Sequence, residues 1–385
     1  VSQHFDVVVV GLGGMGSAAA AHLARRGRRV LGLEQFGAAH DRGSSHGDSR
    51  IYRQAYFEHP DYVPLLLRAF DLWHNLRAET GVELLTVTGG LMIGPPQSRT
   101  VAGSRASAEQ WGLDHDVLDA AEVHARFPAF TPAPDEIALY EDNAGFVRPE
   151  ATVTAHLGLA ADAGADLRFG QTVVGWTATG DGVDVTTTDD TFGADRLILS
   201  AGAWAARLVA DLGMPLEVER HVQMWFRPLP GSGPFEGPRF PIYILDSPEG
   251  QQAYGFPQAG PASEGVKAAF FRNGTPADPD HLRRTVDPAE AVPLREFLST
   301  RLPGLPGDLV RAVPCMYTIT PDEHFVLGLH PAHPNVAVAA GFSGHGFKFV
   351  PVIGEILADL AGSGGTPYDI GLFDPDRGRK GPLAE

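Results

Sequence analysis

The apolar positions of this chain change period several times along its length, and each change marks an element. Residues 5–10, Phe-Asp-Val-Val-Val-Val, form a short β-branched run ending at glycine, which predicts a buried parallel strand. Residues 14–26 are alanine-rich, carry Arg25 and Arg26 in the last turn and stop at Gly27, as a helix would. Val30 to Leu33 is a second buried run and ends at Glu34. These three pieces make a complete βαβ unit.

Farther on, residues 62–80 repeat apolar side chains at helical spacing (Val63, Leu66, Leu67, Phe70, Leu72, Trp73, Leu76). A second α/β stretch comprises a helix near 151–164, strands near 172–177 and 182–187, and the buried run Arg196-Leu197-Ile198-Leu199. A third comprises a strand over 335–340 and a helix over 348–361. Between them, 86–144 and 216–318 hold Pro/Gly-rich turns and short strand-like runs at 222–227, 240–245, 252–256, 266–271 and 310–317. The expected fold class is α/β. A Rossmann-like cofactor domain of residues 1–85, 145–215 and 320–385 is interleaved with an antiparallel β-rich substrate domain of 86–144 and 216–319.

Composition narrows the partners. A chain of 385 residues exceeds the size at which one core usually stops growing, so two lobes are expected. The formal charge of −17 argues against nucleic acid or an anionic membrane surface as partner. The apolar stretch 7–24 is preceded by Asp6 and interrupted by glycines, unlike a signal peptide, and no apolar run is long enough to span a bilayer. The C-terminal Pro382-Leu383-Ala384-Glu385 shows no recognisable peroxisomal address, so a cytoplasmic location is expected. Cys315 is the only cysteine, which excludes an internal disulfide and suits a reducing compartment. The fifteen histidines show no ligand cluster, and no metal is expected.

Gly11-Leu12-Gly13-Gly14-Met15-Gly16 lies between strand and helix, the context that gives a GxGxxG motif its meaning. Gly11 makes the tight turn, Gly13 admits a pyrophosphate to the backbone, and Gly16 lets helix and strand pack closely. Glu34, beyond the second strand, suits a ribose diol. Ser200-Ala201-Gly202-Ala203-Trp204 follows another buried strand. Gly202 lets an extended dinucleotide lie on the backbone and Trp204 covers it, which favours FAD over NAD. A lone thiol far from this cradle points to a covalently held cofactor.

Four further segments are more specific: Ser45-His46-Gly47-Asp48-Ser49-Arg50, Cys315-Met316-Tyr317-Thr318, Asp322-Glu323-His324-Phe325, and Gly341 through Phe349. On these the chain resembles, from first strand to last helix, the monomeric sarcosine oxidase/N-methyltryptophan oxidase family of amino-acid-oxidase-type flavoproteins. The resemblance implies FAD bound through Cys315, with Ser44, Arg50, Gly344 and Lys348 also beside the cofactor. It implies that Arg53 and Lys348 grip a substrate carboxylate and that Lys267 promotes reaction with O₂. Tyr254, Tyr317 and His345 would line the substrate cavity, and Glu58 would be a mobile loop carboxylate at its mouth.

One position departs from the family: four residues after Lys267, where the relatives carry a histidine facing the substrate amine, this chain has Phe271. The expected function is an oxidase of N-methyl amino acids, with O₂ reduced to H₂O₂. The alternatives are an oxidase of a bulkier or cyclic secondary amino acid (N-methyltryptophan, pipecolate) and an FAD-dependent amine dehydrogenase. The resemblance also implies a monomer.

Overall fold

The computed structural model describes residues 4–377 apart from residue 234. The C-terminal tetrapeptide discussed above therefore lies outside the described residues. Along the chain the principal elements are β1 (His4–Val10), α1 (Gly14–Arg25), β2 (Val30–Glu34), α2 (Val63–Thr80), α3 (Pro149–Asp162) and β3 (Thr191–Leu199). They continue with β4 (Glu217–Phe226), β5 (Ile242–Asp246), β6 (Gln252–Gly255), β7 (Val266–Phe270), β8 (Leu309–Ile319), β9 (His333–Ala340) and α4 (Val350–Ser363).

The apolar run of β1 is buried on both faces because it is central: it pairs in parallel with β3 on one side and β2 on the other. β3 continues the parallel set to β9. Helix α1 lies over this sheet between α3 and α4. Its small residues Ala18 to Ala21 are fully buried, and they allow the close approach of α4 that a bulkier face would prevent. Pro351 sits within the first turn of α4, where no intrahelical N–H is lost.

Among the described residues a second sheet has nine strands. β4 pairs antiparallel with β8 and β7, β7 with β6, and β6 with β5. The outer face of β7 (Val266, Ala268, Phe270) packs on a separate apolar core with Leu91, Phe240 and Leu298. Its other face looks toward the parallel sheet.

The elements expected from the apolar pattern are present. The stretches read as strands and turns also hold helices at Arg99–Trp111, Ala120–Arg126 and Val292–Arg301. Each buries only a narrow strip, such as Val101 and Ala108 in the first, so their apolar period is faint. Their ends were the better signal: Ser98 caps the first helix, and Asp119 with Glu122 forms a capping box on the second.

Candidate active site

A cavity of about 660 Å³ runs from the C-terminal ends of β1, β2 and β3 to the inner face of the second sheet. At its first end Gly11, Gly13, Glu34, Gly202 and Trp204 form the wall. Gly16 stands behind that wall, where any Cβ would overlap the Gly11 carbonyl oxygen. Gly13 is the N-cap of α1 and offers no side-chain cap, and Gly14 N–H donates to Ser45 Oγ at 3.1 Å. The bare start of α1 thus faces the cavity with its positive dipole end.

Glu34 is held by its neighbours. Its Oε2 accepts Leu12 N–H at 2.9 Å, and its Oε1 accepts Phe36 N–H at 3.0 Å and faces His40 Nε2 at 3.2 Å. Burial alone would raise its pKa, but His40 and the two N–H donors lower it. A carboxylate oxygen has two lone pairs, so Oε2 retains one for a ribose hydroxyl. Trp204 closes this end, donating Nε1–H to Asp280 at 2.7 Å and standing edge-on to Phe36. The bare glycine turn, the carboxylate and the aromatic cover fit the adenosine diphosphate part of FAD.

The register of the second sheet explains the other end. Glu219 lies opposite Tyr317, His221 opposite Cys315 and Trp225 opposite Lys267. Tyr254 lies opposite Ala269, two residues from Lys267. Opposed residues share a face, as do residues two apart, so Cys315, Tyr317, Lys267 and Tyr254 all project toward the cavity side. Tyr254 and Tyr317 reach its wall, with their hydroxyl groups 3.5 Å apart. Burial raises both phenol pKa values. Tyr317 is held by stacking on His221, with ring centroids 3.8 Å apart. Gly344 sits against the Tyr317 ring at φ +80°, a position and a backbone conformation that together require glycine.

Cys315 is buried just behind this wall. Arg50 Nη2 lies 3.5 Å from its sulfur, and the same guanidinium donates to Ser44 O, Ser49 O and Gln223 Oε1. Ser44 Oγ donates to Met316 O at 2.7 Å, which ties the 44–50 loop to β8. Arg50 and Ser44 line the cavity themselves. Lys267 is also one layer back. Its Nζ donates to Gly47 O at 2.6 Å and Ser49 O at 2.7 Å, and it lies over the rings of Trp225 and Phe256. Burial, with Arg50 nearby, pushes its pKa well below the usual lysine range.

A third cluster comes from the 53–58 loop and the turn before α4. Arg53 is buried, pairs with Glu58 at 2.5 Å and lies over the rings of Tyr56 and Phe57 at 4.2 and 4.1 Å. Burial would raise the Glu58 pKa, but Arg53 overrides it and holds the carboxylate down at about 2. Lys348 Nζ donates to His345 O at 2.7 Å and lies 3.4 Å from Tyr56 Oη. Burial, reinforced by Arg53, lowers its pKa to about 7. His345 Nε2 faces the Glu323 carbonyl at 3.0 Å, so that nitrogen carries the proton and Nδ1 accepts the Tyr56 hydroxyl at 2.6 Å. Arg53, Glu58, His345 and Lys348 all line the cavity.

Phe271 closes the cavity beside Tyr317, ring centroids 6.1 Å apart. The next residue, Arg272, pairs with Glu323, which also pairs with Arg99. Sequence reasoning brought most of these groups to one place but missed Tyr56, Gln223 and Asp280, which touch Lys348, Arg50 and Trp204 respectively. Tyr56 sits three residues after Arg53, and that spacing was the available signal. Gln223 and Asp280 lie in remote segments, and no local pattern marks them.

Among the described residues, Asp211, His330 and His333 are the group with metal-like spacing. His330 Nδ1 accepts Ala332 N–H at 3.2 Å, so its proton lies on Nε2, which faces Asp211 at 3.1 Å. That tautomer offers no lone pair to a cation on the Asp211 side.

A dinucleotide cradle opening onto buried cations and aromatics defines a nucleotide-dependent oxidoreductase. Comparison with known proteins narrows it: the FAD dependent oxidoreductase family model matches residues 6–360, and the chain belongs to that family. It is 54% identical over 378 residues to the monomeric sarcosine oxidase of Streptomyces avermitilis, covering 98% of each chain. It is 35% identical to the N-methyl-L-tryptophan oxidase of Salmonella dublin, covering 96% of this chain and 98% of that one. Among solved structures it resembles NikD, described as an unusual amino acid oxidase essential for nikkomycin biosynthesis, with a TM-score of 0.84 and 28% identity over 97% of this chain and 98% of that chain. Among the described residues no helix is long and apolar enough to cross a membrane.

Proposed function

We propose that this chain is a flavoprotein oxidase of N-methyl (secondary) amino acids, sarcosine oxidase-like, with FAD attached through Cys315. The observation that carries the reading is the meeting, in one cavity with the dinucleotide cradle, of the buried cations Arg53 and Lys348 with Tyr254 and Tyr317. Bound FAD would accept a hydride from the N-alkyl carbon and return the electrons to O₂ as H₂O₂. The imine product then leaves and hydrolyses; an N-methyl substrate gives the demethylated amino acid and formaldehyde.

Arg53 and Lys348 hold the carboxylate, which fixes where the N-alkyl carbon stands and supplies rate by proximity. Arg50, Arg53 and Lys348 line the same space, so a protonated amine is disfavoured and the reactive neutral amine is favoured. His345 has both ring nitrogens engaged within the protein, so it positions Tyr56 and the Lys348 turn and shuttles no proton. Lys267 supplies a buried cation for oxygen reduction, and Arg50 fixes the 44–50 loop against the Cys315 sulfur. On this reading segments 1–85, 145–215 and 320–385 form the cofactor domain, and 86–144 with 216–319 the substrate domain. The chain acts as a cytoplasmic monomer.

Phe271 favours a variant of this reading, in which the preferred amine is bulkier or cyclic. An anaerobic screen of sarcosine, N-methyltryptophan, proline and pipecolate, followed by loss of visible flavin absorbance, tests both. If no secondary amine bleaches the flavin, the reading fails. If a substrate bleaches it and air neither restores the colour nor yields peroxide, while an artificial electron acceptor does restore it, the chain is a dehydrogenase.

A further inference from the structure

A single peptide group, between Gly47 and Asp48, joins a carboxylate on one side to a buried ammonium on the other. Its carbonyl, Gly47 O, accepts from Lys267 Nζ at 2.6 Å. Its N–H, on Asp48, donates to the Glu150 carboxylate, 3.3 Å from each oxygen. The preceding N–H, on Gly47, donates to Glu150 Oε1 at 2.5 Å. Gly47 and Asp48 have φ of +94° and +68°, a turn that presents both N–H groups to one anion. That conformation is strained for Asp48, which has a Cβ, and the bonds to Glu150 hold it.

Glu150 comes from the first turn of α3, is half-buried and is not part of the cavity wall. On the other side of the turn, Ser49 O accepts from both Lys267 and Arg50. Two cations therefore bear on this turn, with Glu150 as the counter-charge behind it. Asp48 is engaged elsewhere: its carboxylate pairs with Arg311 at 2.8 Å, where both side chains are more than 40% exposed and water screens the charge. The titratable and charged groups around Lys267 are Arg50, Asp48, Cys315, Glu150 and His46. Burial and Arg50 depress the Lys267 pKa, and the two carboxylates oppose them.

We propose that Glu150 is a positioning residue for the oxygen half-reaction: acting through the 47–48 peptide, it holds the Lys267 ammonium in its place behind the cavity wall. This deepens the oxidase reading and rests on it for the role of Lys267, although the coupling of Glu150 to Lys267 is measurable without any reaction. A carboxylate on the N–H polarises the peptide and makes its carbonyl a stronger acceptor for the ammonium. Neutralising Glu150 loosens that hold and disfavours the charged lysine.

The test uses the holoenzyme with Glu150→Gln, Lys267→Met and both together, and Glu150→Asp as the variant that keeps the charge. The wild-type rate of reoxidation by O₂ falls as pH rises through the Lys267 pKa, because the ammonium is lost. Without the Glu150 charge that pKa drops farther. In Glu150→Gln the fall is expected about half a unit to one unit lower in pH, which is a rate about three- to tenfold below wild type on that limb. Glu150→Asp should keep the wild-type profile. In the Lys267→Met background Glu150→Gln should change reoxidation by less than about twofold. Denaturant melts give the second readout: the double variant should lose less midpoint concentration than the two single losses added together. Equal slowing in both backgrounds with an unshifted pH profile would overturn the proposal, because Glu150 would then serve the fold alone. Additive losses in the melts, or reoxidation that Lys267→Met leaves unchanged, would overturn it as well. Non-additive melts in a chain whose reduced form does not react with O₂ would uphold the hold of Glu150 on Lys267 and defeat the oxidase reading.

Discussion

The Arg53 guanidinium and the Glu58 carboxylate form an ion pair at 2.5 Å, and each side chain is only 2% exposed. If Arg53 binds a substrate carboxylate, that carboxylate joins or displaces Glu58 on the guanidinium, which has five N–H donors and gives one to Glu58 and one to Ala55 O. Removing one member of a buried pair costs about 3–5 kcal/mol, because the other is left uncompensated. Glu58→Gln is therefore expected to destabilise the free protein by about 3 kcal/mol. Most of that loss should return when a saturating carboxylate inhibitor supplies the missing charge, as measured by denaturant melts with and without inhibitor. A loss unchanged by inhibitor would show that Arg53 does not meet the ligand.

Lys348 gives the site a pH dependence. Its pKa is lowered to about 7, so the free protein carries a charged ammonium below that pH and a neutral amine above it. A bound carboxylate favours the charged form, so affinity is expected to be flat below pH 7. Above it, affinity should fall by up to about tenfold per pH unit. Stability moves in the opposite sense: the unfolded chain binds the extra proton between pH 7 and the ordinary lysine pKa, so this group adds stability as pH rises through that window. Calorimetric titration of a carboxylate inhibitor checks the first point. Lys348→Met should bind more weakly and with that slope absent.

Cys315 sits one layer behind the cavity wall with Arg50 3.5 Å from its sulfur. Yellow colour is expected to remain with wild-type protein precipitated in acid and to be lost from Cys315→Ser. Arg50→Met should leave the polypeptide folded but slow covalent loading of added FAD. A colourless wild-type pellet from well-loaded protein would rule out the thioether.

How much of this was legible in the chain depends on the kind of contact. The strands of the parallel sheet are continuous apolar runs because both their faces are covered, so β1, β2 and β3 were visible at once. Lys267, by contrast, sits in a strand whose alternate residues Val266, Ala268 and Phe270 are apolar, which fits a solvent-facing lysine equally well. Only the pairing of β4 with β7 shows that its face is the inner one. The ties that hold the site, Gln223 to Arg50 and Asp280 to Trp204, join residues 173 and 76 positions apart. Local periodicity carries no trace of such bonds.

The environment of Lys267 sets two effects against each other. Burial disfavours its charge, while Gly47 O and Ser49 O accept from it and favour the ammonium. An ammonium has three protons, and the third meets only the long 3.3 Å contact to Ser49 Oγ, which it can exchange for developing negative charge during oxygen reduction. Lys267→Met is expected to slow reoxidation of the reduced enzyme by O₂ about a hundredfold or more, with anaerobic reduction affected far less. The wild-type reoxidation rate should fall as pH rises through the depressed lysine pKa, and the Met variant should lack that fall. Equal slowing of both half-reactions in stopped flow would contradict the assignment.

Phe271 decides how apolar the far wall is. It faces Tyr317 and neighbours Gln252, and it contributes no polar atom to the cavity. A small substrate such as sarcosine gains nothing from a phenyl ring it barely touches, whereas a large apolar side chain buries area against it at roughly 25 cal/mol per Å². Phe271→His removes part of that apolar surface and introduces a ring with a donor and an acceptor. Competition measurements of kcat/KM are expected to shift by about tenfold toward sarcosine and away from N-methylphenylalanine, since pocket changes of this size are worth about 1–3 kcal/mol. Arg272 lies over the Phe271 ring at 4.9 Å and pairs with Glu323, a bond it should keep, so the melting temperature is expected to change little. An unchanged ratio would show that the wall at residue 271 does not set which amine is preferred.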